Sequence, residues 1–344
     1  MKGQQVIQNY FQMRRLLLLF SGYVLIWGMM SCSKQSADKI TISLIPKGTS
    51  HVFWQSVHAG AIKASKELGV NIVWIGPDKE DDRNQQIALV DNQVMNQVSA
   101  IALAPLDEMA LRRPVKNAVA KNIPVVIFDS GLKDSEDVYS SFIATDNREG
   151  GRIAGRQLGQ LLKGKGKVIM LRYQEGNAST DNREEGFLET IKGFSGIEVT
   201  SDEQYGGASK ASAQQASENL LLRFRDADGQ LTIDGIFCPN ESTTYGMLQA
   251  LRRSRLAGKV RLIGFDSSNP LIKGLRAEEI DGLVIQDPFK MGYLSVRSLV
   301  QVLKGEKIEK RIDTGVTFIT NASLEKPEVQ ELIDPDLDKW QNLE

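Results

Sequence analysis

Between Lys47 and Trp54 the chain reads Lys-Gly-Thr-Ser-His-Val-Phe-Trp, which sets an ammonium, an imidazole and two aromatic rings into one octet. An apolar run, Ile40-Thr-Ile-Ser-Leu-Ile45, precedes it. After it, Phe53, Val57, Ala61, Ile62 and Leu68 fall near one face of a helix that stops at Gly69. The octet is therefore a strand-to-helix loop, with Thr49 and Ser50 as candidate N-caps. In an open α/β sheet, loops at the carboxyl ends of strands are where ligands bind. Two further chemical groups stand at such places: Asp129 ends Val126-Ile-Phe-Asp and Asp266 ends Ile263-Gly-Phe-Asp. An ionised carboxylate there can accept from a ligand's hydroxyls, at about 1.5–3 kcal/mol per bond, or can cap the helix that follows. Spacing alone leaves both roles open.

The elements that must position these groups alternate strictly. Short apolar runs at 40–45, 71–75, 100–104, 124–128, 167–171, 197–201, 232–238, 259–265 and 282–286 are separated by helical patterns. Nearly all-apolar strands alternating with helices imply an α/β protein whose parallel sheets are covered on both faces. A closed barrel would use the same alternation. Against it, Gly131 to Asn147 breaks the rhythm with a polar connection, a short strand near Tyr139 to Ala144 and a cap at Asp146-Asn147. The pattern then restarts, as two open sheets require. A last strand is expected near Thr314 to Thr320, and residues 321–344 read as a surface-bound tail.

With 344 residues the chain has room for two domains, and its 42 basic and 43 acidic side chains leave a net charge of -1, which gives no attraction to nucleic acid. A dinucleotide-dependent oxidoreductase would need Gly-x-Gly-x-x-Gly directly after a strand, whereas the first loop has one glycine and Gly150, Gly151 and Gly155 lie within a helix pattern. No Gly-x-Ser-x-Gly elbow occurs, and two histidines without clustered cysteines argue against a catalytic metal. The expected set is no catalytic residue, no metal and no cofactor.

The amino terminus carries Arg14 and Arg15 and then an uncharged run from Leu16 to Met30, short for a membrane span and suited to a secretory signal. It ends in Met29-Met30-Ser31-Cys32, which resembles a bacterial lipobox, so residues 1–31 would be removed, Cys32 lipidated, and 32–38 left as a linker. An uncleaved anchor is the alternative. Either places the body outside the cytoplasmic membrane, periplasmic or cell-surface. Cys238 is then the one remaining thiol, expected as a buried small hydrophobe.

Taken together, Phe53-Trp54 with Gly60-Ala61, Ile127-Phe-Asp129, Thr145-Asp-Asn147 with Gly150 to Gly155, Ser179-Thr-Asp-Asn-Arg183, Phe237-Cys-Pro-Asn240, Gly264-Phe-Asp266, Gln286 and Leu303-Lys-Gly-Glu-Lys307 resemble, in this order, the type I periplasmic sugar-binding proteins typified by ribose-binding proteins. The resemblance implies two doubly wound parallel-sheet lobes joined by a three-crossover hinge, with a monosaccharide enclosed between them. Carried onto this chain, the first lobe would be 39–145 plus 287–313 and the second 146–286 plus 314–344. Phe53 and Trp54 would offer flat surface to the C–H faces of a sugar, as would Tyr205 from the other lobe, unless all three are core residues. Asp129, Asp266, Arg183, Asn240 and Gln286 would hold hydroxyls. Their structural alternatives are helix caps for the aspartates and Asn240, an ion pair with Asp181 or Glu184 for Arg183, and a hinge bond for Gln286.

Departures from the ribose pattern point to another sugar: Ala104-Pro105 and Asp129-Ser130 replace an asparagine-proline and an aspartate-arginine, and Asp181 stands where that pattern has its ligand arginine. Lys47 and His51 add basic groups, so a substituted or acidic sugar could place an anion against them. The implied partners are an ABC transporter permease and the membrane through the lipid anchor only, with the protein a monomer. An external sugar sensor is the runner-up, and the related repressors would need a helix-turn-helix where this chain has its signal segment.

Overall fold

The computed structural model describes residues 39–335 and 337–341. The signal segment and Cys32 lie outside the described residues. All elements below belong to the compact unit that begins at Ile40.

The first sheet is built from β1 (Thr41–Ile45), β2 (Asn71–Trp74), β3 (Ala100–Leu103), β4 (Val125–Phe128), β5 (Ser141–Ala144) and β11 (Arg311–Asp313), in the order β11-β5-β4-β3-β1-β2 and parallel throughout. Its helices are α1 (Val52–Leu68), α2 (Arg83–Met95), α3 (Arg112–Ala120) and α9 (Pro288–Leu303). The second sheet contains β6 (Lys165–Arg172), β7 (Gly196–Tyr205), β8 (Gly235–Phe237), β9 (Arg261–Phe265), β10 (Gly282–Gln286) and β12 (Val316–Ile319). Its order is β12-β10-β9-β8-β6-β7, with β12 alone antiparallel to its neighbour. Around it lie α4 (Asn147–Leu161), α5 (Ala178–Ile191), α6 (Lys210–Leu222), α7 (Glu241–Arg253) and α8 (Asn269–Arg276). The two orders are the same doubly wound arrangement, which opens a crevice at the carboxyl ends of the first and third strands of each sheet.

Each sheet has apolar cores on both faces, which is why β3 and β4, and equally β8, read as unbroken apolar runs. The chain passes from β5 to α4 through Thr145 and Asp146, and Asp146 caps α4 by accepting from Glu149 N at 3.0 Å. It returns between β10 and α9, where Asp287 accepts from Lys290 N at 2.8 Å. It crosses again between β11 and β12, where Thr145 Oγ1 donates to Gly315 O at 3.1 Å.

Both halves use one device to seat the helix that follows a crossing. A Cβ on Gly60 would stand 1.9 Å from Phe289 O, and one on Gly292 the same distance from Val57 O, so α1 and α9 meet backbone to backbone. In the second half, a Cβ on Gly151 would stand 1.9 Å from Arg183 O and one on Gly186 2.0 Å from Arg148 O, bringing α4 and α5 equally close. No side chain fits in either seam.

Three local expectations are corrected. The N-cap of α1 is His51 in extended backbone with no side-chain cap bond, because the helix begins at Val52, two residues beyond Ser50. The strand expected near Thr314 to Thr320 forms as Val316–Ile319, but it is preceded by an unexpected strand, Arg311–Asp313 of the first sheet, too short and too charged to stand out in the sequence. The tail is anchored in the second lobe's core through Leu324 and Val329, carries α10 (Pro327–Ile333) and α11 (Asp338–Gln341), and brings Trp340 within 5.9 Å of Lys63 Nζ on α1. Cys238 is buried in that same core, and burial pushes its thiol well above the ordinary range.

Candidate functional site

The site lies where the carboxyl ends of the two sheets face each other. Lys47 and His51 come from the loop after β1, Phe53 and Trp54 from the first turn of α1, and Asp129 directly follows β4. From the other side, Arg183 projects from α5, Asn240 caps α7, Asp266 directly follows β9, and Gln286 ends β10. These nine residues line one cavity together with Glu80, Tyr173, Asn177, Ser179, Thr180 and Glu241. A wider groove by Tyr139, Phe142, Asp146 and Arg148 shares only Ser179 with this cavity, and Arg148 there pairs with the exposed Glu185 and Glu189.

The two aspartates have the same backbone: φ is 61° at Asp129 and 66° at Asp266, a left-handed conformation that aspartate tolerates better than most residues. In each, the amide donates to the next strand, Asp129 N to Ile143 O at 3.0 Å and Asp266 N to Val284 O at 2.8 Å. The turn aims each carboxylate into the cavity. Asp129 meets Lys47 Nζ at 2.8 Å, both side chains 5% exposed. The same ammonium donates across to Asn177 Oδ1 at 3.2 Å and Ser179 Oγ at 3.0 Å. Asp266 accepts from Gln286 Nε2 at 2.6 Å and from the Glu241 amide at 3.1 Å, with Arg183 Nη1 3.9 Å away. Burial raises the Asp266 carboxyl above its ordinary range, against the pull of Arg183.

Arg183 is buried rather than on a solvated helix start. Its guanidinium donates to Asn147 Oδ1 at 2.8 Å and Pro239 O at 3.0 Å, and lies 3.9 Å from the Phe265 ring centre. Burial lowers its pKa, with Asp266 opposing. Asn240 does cap α7, accepting from Thr243 N at 3.1 Å, and so combines its structural role with a place on the cavity wall. Trp54 belongs to the core under the first sheet, packs edge-on against Phe53 at 4.8 Å, and gives its indole N–H to Glu80 Oε1 at 2.6 Å.

Tyr205 is the correction. It does not line the cavity but ends β7, beside Arg172 of β6, with the guanidinium 5.2 Å from its ring centre and 37% of the residue exposed. One strand in, Tyr173 occupies the buried position, donating its hydroxyl to Glu80 Oε2 at 2.8 Å. Burial, and then the Glu80 carboxylate, raise the Tyr173 phenol well above its ordinary value. The basic groups of the first loop sit among carboxylates: Lys47 Nζ meets Asp129 and reaches the opposite lobe, and His51 Nδ1 lies 3.9 Å from Glu80 and 3.7 Å from Glu241.

The sequence reading missed Glu80, Tyr173, Asn177, Ser179, Thr180 and Glu241. Glu80 stands in Asp78-Lys79-Glu80-Asp81-Asp82, which looks like a solvated loop, and the others read as helix starts. The available signal was Tyr173, which follows Met170-Leu-Arg172 as Asp129 follows its own strand.

Such an arrangement, with aromatic edges, amides and charged groups converging from both sides of a crevice, suits a small polar molecule. The chain belongs to the periplasmic binding protein family: residues 42–307 match the periplasmic binding protein domain. It is similar to the ribose import binding protein of Haemophilus influenzae, 28% identical over 90% of this chain and 100% of that one. The D-allose-binding periplasmic protein of Escherichia coli is also 28% identical, over 86% of this chain and 94% of its own length. Among solved structures, a carbohydrate transporter solute-binding protein from Agrobacterium radiobacter in complex with D-arabinose is 34% identical, with a TM-score of 0.81 over 87% of this chain and 100% of that one. An ABC transporter solute-binding protein from Agrobacterium vitis with bound D-fucose is 35% identical, with a TM-score of 0.80 over 85% of this chain and 99% of that one.

Proposed function

We propose that this protein is the extracytoplasmic solute-binding component of an ABC transporter, which encloses a monosaccharide between its lobes by hinge closure and presents it to a membrane permease. The observation that carries the reading is the cavity to which both sheets contribute buried carboxylates, amides and aromatic edges, in a family whose relatives are sugar binders. The lobes are taken as 39–145 plus 287–313 and 146–286 plus 314 onward, with Lys47, His51, Phe53, Trp54, Asp129, Arg183, Asn240, Asp266 and Gln286 as ligand contacts. A sugar touching both sides favours the closed state by its differential affinity, and about 5.5 kcal/mol turns a 1:99 mixture into 99:1. Charge-assisted bonds at roughly 1.5–3 kcal/mol each can supply it. The protein carries no catalytic activity in this reading. It works as a monomer, tethered through a lipid on Cys32 at the periplasmic or cell-surface face.

A thermal-shift screen of pentoses and hexoses, followed by calorimetry and small-angle scattering, tests the reading. At least one monosaccharide should raise the melting temperature and shrink the scattering radius. Stabilisation only by an amino acid or nucleoside would overturn the substrate class. Labelled palmitate should enter the wild-type protein and not Cys32→Ala, and its absence from both would remove the lipid anchor.

A further inference from the structure

Four carboxylates line the cavity, Glu80, Asp129, Glu241 and Asp266, and three of them face a cation from their own lobe. Lys47 lies 2.8 Å from Asp129, Arg183 3.9 Å from Asp266, and Lys210 2.9 Å from Glu241. Glu80 differs. Its side chain is 11% exposed, and its two oxygens accept from neutral donors, the Trp54 indole at 2.6 Å and the Tyr173 hydroxyl at 2.8 Å. The nearest basic atom, His51 Nδ1, is 3.9 Å away, beyond hydrogen-bond reach, and is shared with Glu241. The two donors fix the carboxylate in place without cancelling its charge, and each of its oxygens retains a second lone pair.

Two neutral groups lining the same cavity also lack partners. Gln286 Oε1 and Asn177 Nδ2 are buried without a hydrogen bond to any protein atom, in residues 5% and 1% exposed. An unpaired buried anion is costly, and a ligand that carries the complementary charge removes that cost. A metal ion is a poor candidate, because no group of three or more His, Cys, Asp or Glu side chains among the described residues could hold one. A sugar acid would add an anion to a cavity whose carboxylates already outnumber Lys47 and Arg183.

We propose that the preferred ligand is a monosaccharide or related polyol bearing a protonated amine, with Glu80 as the residue that selects it. The assignment rests on the sugar-binding reading and names the ligand class within it. Neutral hydroxyls can satisfy Asp129, Asp266, Asn177 and Gln286, while Glu80 receives the ammonium.

Calorimetry on the mature protein should compare matched sets in the gluco, galacto and manno series: the hexose, the 2-amino-2-deoxyhexose, its N-acetyl derivative and the uronic acid. The best amino sugar should bind at least tenfold tighter than its own hexose and its N-acetyl derivative, and the uronic acid should bind weakest. Glu80→Gln keeps the shape and one of the two acceptors while removing the charge, so it should bring amine and hexose to within about threefold of each other by costing the amine far more affinity than the hexose. A hexose or uronic acid that outcompetes every amino sugar in the wild-type protein overturns the assignment while leaving sugar binding intact. Equal loss of amine and hexose affinity in Glu80→Gln does the same, since it would make Glu80 a wall residue and not a selector. Absence of binding by all members, simple pentoses included, overturns the sugar reading together with this one.

Discussion

The two halves of the cavity are built alike and wired differently. Each offers an aspartate in left-handed backbone at the end of its fourth strand in chain order, aimed at the same crevice. In the first half the aspartate is held by Lys47, which also reaches across to Asn177 and Ser179. In the second half Asp266 is held from within, by Gln286, the Glu241 amide and, at a distance, Arg183. The second half thus holds its aspartate with its own groups, and the first carries one of the groups that bolt the two together, the Tyr173–Glu80 bond being another. Sheet topology alone would not separate these tasks.

The sharpest way to break this comparison is to remove each aspartate in turn. Asp266→Ala leaves Arg183 buried beside no carboxylate and Gln286 Nε2 without its acceptor, so sugar affinity should fall by at least about 100-fold and folding stability by about 3–5 kcal/mol. Asp129→Ala leaves Lys47 with Asn177 and Ser179 and should cost markedly less on both counts. Equal losses by calorimetry and denaturant titration would mean that the two halves are not divided as described. Next in size, Lys47→Gln keeps a donor near Asp129 and gives up the reach across the crevice. The sugar concentration that half-closes the protein, followed by scattering radius, should rise by about tenfold, equivalent to about 1.4 kcal/mol. An unchanged midpoint would remove the bolt from the account.

How far the site could be read from residues alone follows the same division. Groups that end apolar strands, Asp129, Asp266 and Gln286, announce themselves, since a lone polar side chain after a buried run has few other reasons to be there. Lys47 was legible as a position and not as a function: its partners Asn177 and Ser179 are 130 and 132 residues away, and no spacing rule joins them. Glu80 was hidden among like neighbours. Tyr173 and Tyr205 both end strands, and only the edge placement of β7 decides which one faces the crevice. The alternation gave both sheets, and β11 escaped because two of its three residues, Arg311 and Asp313, carry charge where a strand of this class is apolar.

The smallest expected effect concerns the support behind the second half. Glu184 is fully buried, accepts from Arg172 Nε at 2.6 Å and from the Tyr173 amide at 3.1 Å, and burial pushes its carboxyl up to about 7 although Arg172 pulls it down. A carboxyl raised in the fold binds its proton more tightly folded than unfolded, so its contribution to stability is complete below pH 4.5 and is lost as pH rises through 7. The wild-type melting temperature should therefore drop further across that window than that of Glu184→Gln. Parallel melting curves against pH would show that Glu184 titrates normally, and would detach the Tyr173 position from its support.

The glycine seams bear on how a sugar's grip becomes movement. With carbonyl against α-carbon between α1 and α9, and again between α4 and α5, these two seams offer no soft layer to absorb a pull on Trp54 or Arg183. Each half behaves as a rigid lever arm, so force applied at the cavity is delivered to the three thin strands of chain between the arms. A permease that pries the arms apart would work against the same stiffness, and the sugar would leave as a unit and not by loosening of one wall at a time.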